Sequence, residues 1–228
     1  MHFLLLGATG RTGKLVVSEA LSQGHTAVAL VRNAAALSSK QGLTVVQGSP
    51  LVKDDISKCL VAAPGGARVD AAIITLNTVR ASDSPFAAPL SPPRLLADSC
   101  ANACAVLQEA GISRIVIMST AGAGDSWQGL PWLSRAFMGW TNIKYALADH
   151  NLVEEKVRRT GMDWTLVRPV KLDYEAEKDS GSLEELGQVG KGVRVSDTAN
   201  TARVARFLIE TAVQGRFIKS AVVIRDAA

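Results

Sequence analysis

The chain has no run of like charges, no CxxC pair and no apolar stretch as long as a bilayer is thick. Each absence removes a class of function. The 25 basic and 21 acidic side chains are scattered, so the net charge of +4 makes no stripe of the sort that tracks nucleic acid. Cys59, Cys100 and Cys104 are odd in number and contain no CxxC, which argues against a disulfide framework or a zinc site. They read as small buried residues in a reducing compartment. Crossing a bilayer takes roughly 20 apolar residues, and no segment offers them. The run at 3–6 is too short for the apolar region of a signal peptide and leads straight into glycines. These absences lead us to expect a cytoplasmic protein that acts on a small molecule. Nucleic acid, membrane and metal are not expected as partners, and the chain is expected as a monomer or homodimer.

What is present fits an ordinary globular chain, with 47% apolar and 20% charged residues. A length of 228 residues suits one domain over 1–228, with no internal repeat or linker. Short β-rich runs alternate with helical segments. This pattern predicts an α/β doubly wound, mostly parallel sheet with helices on both faces. Strands are predicted over 2–6, 26–32, 43–48, 70–76, 114–120, 163–169 and 220–224. Helices are predicted over 11–24, 54–61, 95–111, 143–161 and 198–213. Residues 79–93 and 121–132 read as irregular loops, and 171–192 as a polar, Gly-rich surface excursion beside the substrate mouth.

The stretch GATGRTG at 7–13 carries the first chemical signal. It follows a strand, opens a helix and begins a βαβ unit, the setting a dinucleotide loop requires. Gly7 makes the sharp turn, Gly10 lets a diphosphate approach bare backbone, and Gly13 lets helix and sheet pack closely. A P-loop is the rival, because Lys14 follows Gly13. It fails because five residues rather than four separate Gly7 from Gly13, and Leu15 stands where a magnesium-binding Ser or Thr is needed. Thr9, Arg11 and Thr12 complete the loop, Arg11 as a second positive charge or a stacking surface for adenine. An NAD site usually carries an acid about 20 residues on, for the ribose hydroxyl. Here the second strand ends in Val31-Arg32-Asn33. Arg32 cannot accept that bond but can grip a 2′-phosphate, so NADP(H) is the expected cofactor.

Three further positions are candidates for catalysis. Ser119 and Thr120 end the fifth strand, on the edge where open α/β sheets place ligands. On the helix predicted over 143–161, Ala146, His150, Val153 and Val157 share one apolar face. His150 is therefore either a core residue or a proton donor, with Glu154 one turn on to orient it and hold its pKa up. Tyr145 lies one turn back and is the third candidate. Leu76 and Asn77, after the fourth strand, would border the cofactor. Trp127, Trp132, Phe137 and Trp140 either wall an apolar substrate pocket or form core or a dimer contact.

GATGRTG, Arg32, the MST at 118–120 and DHNLVEEKVRRTGMDWTLVRP at 149–169 together resemble the atypical short-chain dehydrogenase/reductases of the NmrA-like and biliverdin reductase B (flavin reductase) type. The likeness covers nearly the whole chain. It implies a Rossmann fold with NADP(H) across the carboxyl edge of the sheet, and Pro169 and Val170 against the nicotinamide. It also implies a hydride passed to a small carbonyl, enone, quinone or flavin-like substrate, in a pocket drawn mainly from 121–195. The same family holds non-catalytic NADP(H)-sensing regulators, and a non-redox isomerase or cyclase on this scaffold is a further alternative. Two departures stand out. Gly48-Ser49 replaces a Gly-Asp after the third strand. Asp149 occupies the place of the lysine in the Tyr-x-x-x-Lys pair, where it would raise the pKa of Tyr145 instead of lowering it.

Overall fold

Every residue of strand β1 (His2–Leu6) is buried, and its side chains alternate between two cores. Phe3 and Leu5 enter one, Leu4 and Leu6 the other. A computed structural model of the chain, which describes residues 1–62, 66–174 and 181–227, repeats this double burial in β4 (Ala71–Ile74), β5 (Arg114–Met118) and most of β2 (Thr26–Val31) and β6 (Asp163–Pro169). Strands apolar on both sides need cover on both faces. Helices α1 (Arg11–Ser22) and α6 (Thr201–Val213) supply one layer, and α2 (Lys53–Val61), α3 (Leu95–Glu109) and α5 (Ile143–Arg158) the other.

With β3 (Leu43–Gln47), β8 (Leu183–Glu185) and β10 (Ser220–Asp226), the main sheet runs β3-β2-β1-β4-β5-β6-β10-β8. The first six strands follow the order of the Rossmann fold, and all pair in parallel. Only β8, paired with β10, runs antiparallel among the described residues. The order reverses between β1 and β4, which opens a crevice at their carboxyl ends, where this class of sheet binds its ligand.

The predicted strands and helices are present with small shifts at their ends, and three features differ from expectation. Residues beyond Pro131 form a helix, α4 (Trp132–Trp140), where no element was predicted. Of its apolar residues only Met138 packs against the core, and Trp132, Leu133, Phe137 and Trp140 are exposed, so its periodicity carries no core signal. The expected surface excursion contains β7 (Lys171–Asp173) and β8, while 175–180 lies outside the described residues. Thr198–Asn200 forms β9, paired with β7, so α6 starts at Thr201 and not at 198. There the Asn200 side chain accepts bonds from the amides of Ala202 (2.9 Å) and Arg203 (3.2 Å) and caps the helix.

Two buried charges fix the far side of the sheet. Arg114 donates to the carbonyls of Asp163, Thr211 and Arg216 and to Thr165 Oγ1, at 2.8 to 2.9 Å, and so ties β5 and β6 to the end of α6. Arg168, fully buried, donates to the Gln188 carbonyl at 2.8 Å and pairs with Glu154, which locks α5 to β6. The three cysteines are free and buried, and burial pushes the thiols of Cys59 and Cys104 up to about 12.

Candidate functional site

The glycine loop is shaped by contacts that leave no room at two of its three glycines. Gly7 has a φ of +93° and backs onto the Thr75–Leu76 peptide, where a Cβ would come within 2.6 Å of a backbone carbon. At Gly13 a Cβ would lie 2.0 Å from the Gly7 carbonyl oxygen. Gly10 is different. Its nearest obstacle is the same oxygen at 3.3 Å, so the protein itself almost has space for a side chain there. Gly10 also caps α1 with no side-chain oxygen, and the first turn holds no acid. The amides of Arg11, Thr12 and Gly13 have no intrahelical acceptor, which leaves donors at the positive end of the helix, where negative charge is favoured. Thr12 is buried, so its amide is what it can offer, while Thr9 stands half-exposed between the glycines.

Across the crevice lies a cavity of about 220 Å³. Leu76, Asn77, Thr78 and Arg80 line it after β4, Ser119 and Thr120 after β5, and Pro169 and Val170 at the end of β6. From the helical layer come Met138, Ile143, Ala146, Leu147 and His150. Three polar atoms there are buried without a hydrogen-bond partner among the described residues: Ser119 Oγ, His150 Nδ1 and Arg80 Nη1. Buried polar groups are rarely left so, and a cluster of them along one cavity fits a ligand that supplies the missing partners. A nicotinamide nucleotide offers a carboxamide, ribose hydroxyls and phosphates to such groups.

The structure brings Ser119 and His150 to one pocket and keeps Tyr145 out of it. Tyr145 is 53% exposed, under Lys144 Nζ at 5.4 Å from its ring centre. Glu154 does not orient His150 as expected. Its carboxylate is taken by Arg158, at 2.6 Å, and by Arg168. With no acid beside it, burial pushes the His150 imidazole down to about 4, so the ring is neutral at pH 7. Asp149 is likewise committed elsewhere: its two oxygens accept from the amides of Leu96 (2.9 Å) and Ala97 (3.0 Å), and it caps α3 from another helix. The lysine position of the usual pair has here become a structural clasp. At the other departure, Asp55 reaches back to the Ser49 amide at 3.0 Å.

Arg32 follows β2, exposed, and among the described residues no hydrogen bond or ion pair engages its guanidinium. Arg11 is engaged: its guanidinium is 3.1 Å from Asp83 and 4.0 Å from the centre of the Tyr174 ring. Both contacts are on the surface and are cheap to exchange for a phosphate. Of the four aromatic residues considered as pocket walls, none lines the cavity. Trp127 packs against the core, while Trp132, Phe137 and Trp140 are exposed. Arg80 is the charged pocket residue that sequence reasoning missed, along with apolar lining from Met138, Ile143, Leu147 and Leu172. It sits in a stretch rich in Ser, Pro and Ala, and the loop is folded back by the bridge from Arg80 to Pro89 and by hydrogen bonds between 79–81 and 88–91.

The chain belongs to the NAD(P)H-binding family, whose sequence profile it matches over residues 7–214. It is therefore a nicotinamide-nucleotide-binding protein with an oxidoreductase-like fold, which bears out the resemblance to the atypical short-chain dehydrogenase/reductases. Over 154 residues, 64% of this chain and 43% of the relative, it is 30% identical to the photosystem II assembly factor Ycf39 of a Synechocystis species. The chain spans less than half the length of the curated relatives it matches. Among solved structures, the oxidoreductase ylbE from Lactococcus lactis superposes with a TM-score of 0.75 at 17% identity, covering 100% of this chain and 91% of that one. The anaerobillin reductase ChuY from Escherichia coli O157:H7 gives 0.74 at 21% identity, over 98% and 96%. At such identities the likeness is one of fold. No helix among the described residues is long and apolar enough to cross a membrane.

Proposed function

We propose that the protein is an NADPH-dependent reductase of a small carbonyl, enone, quinone or flavin-like molecule. The observation that carries this reading is the pair of unpartnered buried atoms, Ser119 Oγ and His150 Nδ1, on two residues that line one cavity at the carboxyl edge of the sheet. When bound, the reduced nicotinamide supplies the hydride. The chain supplies position and polarity. Gly10 and the free amides of α1 receive the diphosphate, and Arg32 takes the 2′-phosphate that distinguishes NADPH from NADH. Arg80 adds positive charge to the cavity that holds Ser119 and His150. Pro169 and Val170 give the nicotinamide a flat, dry surface, and Leu76, Asn77 and Thr120 border the ribose. Ser119 donates its hydroxyl hydrogen to the acceptor oxygen of the substrate. A neutral His150 donates from a ring N–H instead of releasing a proton, and the proton that completes reduction comes from water.

One observation favours a second reading, a nucleotide-sensing protein without turnover. With His150 neutral and Tyr145 outside the cavity, the candidate residues include no ready acid at pH 7. NADPH offered together with a panel of quinones, flavins and enones separates the two. Loss of the reduced nicotinamide absorbance, slowed by Ser119→Ala, is expected for the reductase. Tight nucleotide binding with no acceptor reduced contradicts it and supports the sensor. Product formed without nucleotide consumption points to an isomerase or cyclase.

A further inference from the structure

We propose that α4 is a docking helix for an anionic lipid surface. A surface helix ordinarily turns its apolar stripe to the core and its polar side to water. In α4 the order is reversed. Trp132, Leu133, Ala136, Phe137 and Trp140 fall at i, i+1, i+4, i+5 and i+8, one face of the helix. That face is outward: Trp132 is 73% exposed, Trp140 84%, Leu133 51% and Phe137 47%. No residue of α4 is buried, and the half-buried side is Ser134, Arg135 and Met138. Two tryptophans and a phenylalanine held in water on one nine-residue helix are costly unless something covers them.

Charge selects what covers them. Between Asp125 and Asp149 the chain carries no acid at all, while Arg135 on α4 and the exposed Lys144 in the first turn of α5 add positive charge to this stretch. Nearby, Phe86 and Leu90 are 63% and 65% exposed on a loop pinned to the start of α5. The pin is Asn142, whose side-chain amide donates to the Phe86 carbonyl at 2.8 Å. Tryptophan favours the boundary between headgroups and acyl chains, where its ring is buried and its N–H stays wet. A short helix with an apolar aromatic face and basic flanks lies flat in that boundary, and each basic residue strengthens attraction to anionic headgroups by about fivefold. A second copy of the chain is a poorer occupant, because a two-fold contact would bring the same basic residues from both copies, and no acid from this stretch, into one interface. The absence of a spanning run excludes only a crossing helix, and an interfacial one needs no such run. The proposal rests on α4 and stands apart from the reductase reading.

The test uses the full chain with vesicles of phosphatidylglycerol and phosphatidylcholine in equal parts, and with phosphatidylcholine alone. Sedimentation with the anionic vesicles at low salt, with a blue shift in tryptophan emission, is expected. Binding should be lost in Trp132→Ser/Trp140→Ser and weakened about fivefold by each of Arg135→Gln and Lys144→Gln. Both sets are surface changes outside the cavity, so NADPH binding should be unchanged in all of them, which shows that they fold. The proposal is overturned if the protein sediments with neither vesicle, or if binding survives the double tryptophan substitution. A dimer in light scattering that the same substitution dissociates also overturns it, and assigns the face to a second copy.

Discussion

At the scale of single residues, the three glycines of the loop separate folding from binding. Gly13→Ala forces a Cβ toward the Gly7 carbonyl, 2.0 Å away, and should destabilise the protein by at least about 1–3 kcal/mol in denaturant titration. Gly10→Ala meets only one contact, at 3.3 Å, and should leave stability nearly unchanged while weakening nucleotide binding by about tenfold or more in calorimetry. Equal effects of the two on stability would mean that Gly10 is there for the turn. His150 makes a pH prediction. Its folded pKa, about 4, lies below the ordinary 6.5, so below pH 6.5 the unfolded chain takes up a proton that the folded one refuses. Stability is therefore full above 6.5 and falls as pH drops toward 4, by about 3 kcal/mol for this group. His150→Asn should flatten that limb of the stability curve, and an unchanged limb would contradict a buried, neutral ring.

Among the elements, α5 matters most, because it places His150 and is held by the Glu154–Arg168 pair. Glu154→Ala leaves a fully buried guanidinium without its carboxylate and should cost about 3–5 kcal/mol. Arg114→Met strips donors from three carbonyls that join β5, β6 and α6, and a loss of similar size is expected in thermal or denaturant unfolding. A change within experimental error in either variant would mean that these charges do not hold the layers together. The inward face of α5 was legible beforehand, because Ala146, His150, Val153 and Val157 repeat at helical spacing. The partners of Glu154 and Asp149 were not. Glu154 meets Arg158 on its own helix, but Arg168 comes from β6 and the amides that Asp149 accepts from open α3, and only folding brings those pieces together. For α4 the difficulty was opposite: a helix whose apolar side faces outward has no buried stripe to detect. Strands β7, β8 and β9 have three residues each, too few for a period of two to stand out.

For the whole molecule, the strand order and the site follow from one arrangement. The chain winds outward in both directions from β1 and β4, the crevice opens between them, and the glycine loop, Arg32, Ser119 and His150 are drawn to its carboxyl edge from four separate parts of the sequence. The places of the loop after β1 and of Arg32 after β2 were readable because their spacing along the chain is itself the signal. Arg80 was not, since its place in the cavity depends on how a long loop folds back. A ligand that binds only the folded state stabilises it by about 2.7 kcal/mol at a hundred times its dissociation constant, which for a chain of this size is a rise in Tm of about 5–11 °C. NADPH should produce a rise of this order and NADH a smaller one at equal concentration. Calorimetric titration of the intact chain with both nucleotides, repeated on Arg32→Ala, tests the central claim most directly. The account predicts a preference for NADPH and a loss of about ten- to a hundredfold in NADPH affinity on substitution, with NADH binding little altered. Binding of neither nucleotide, or equal losses for both, would contradict it.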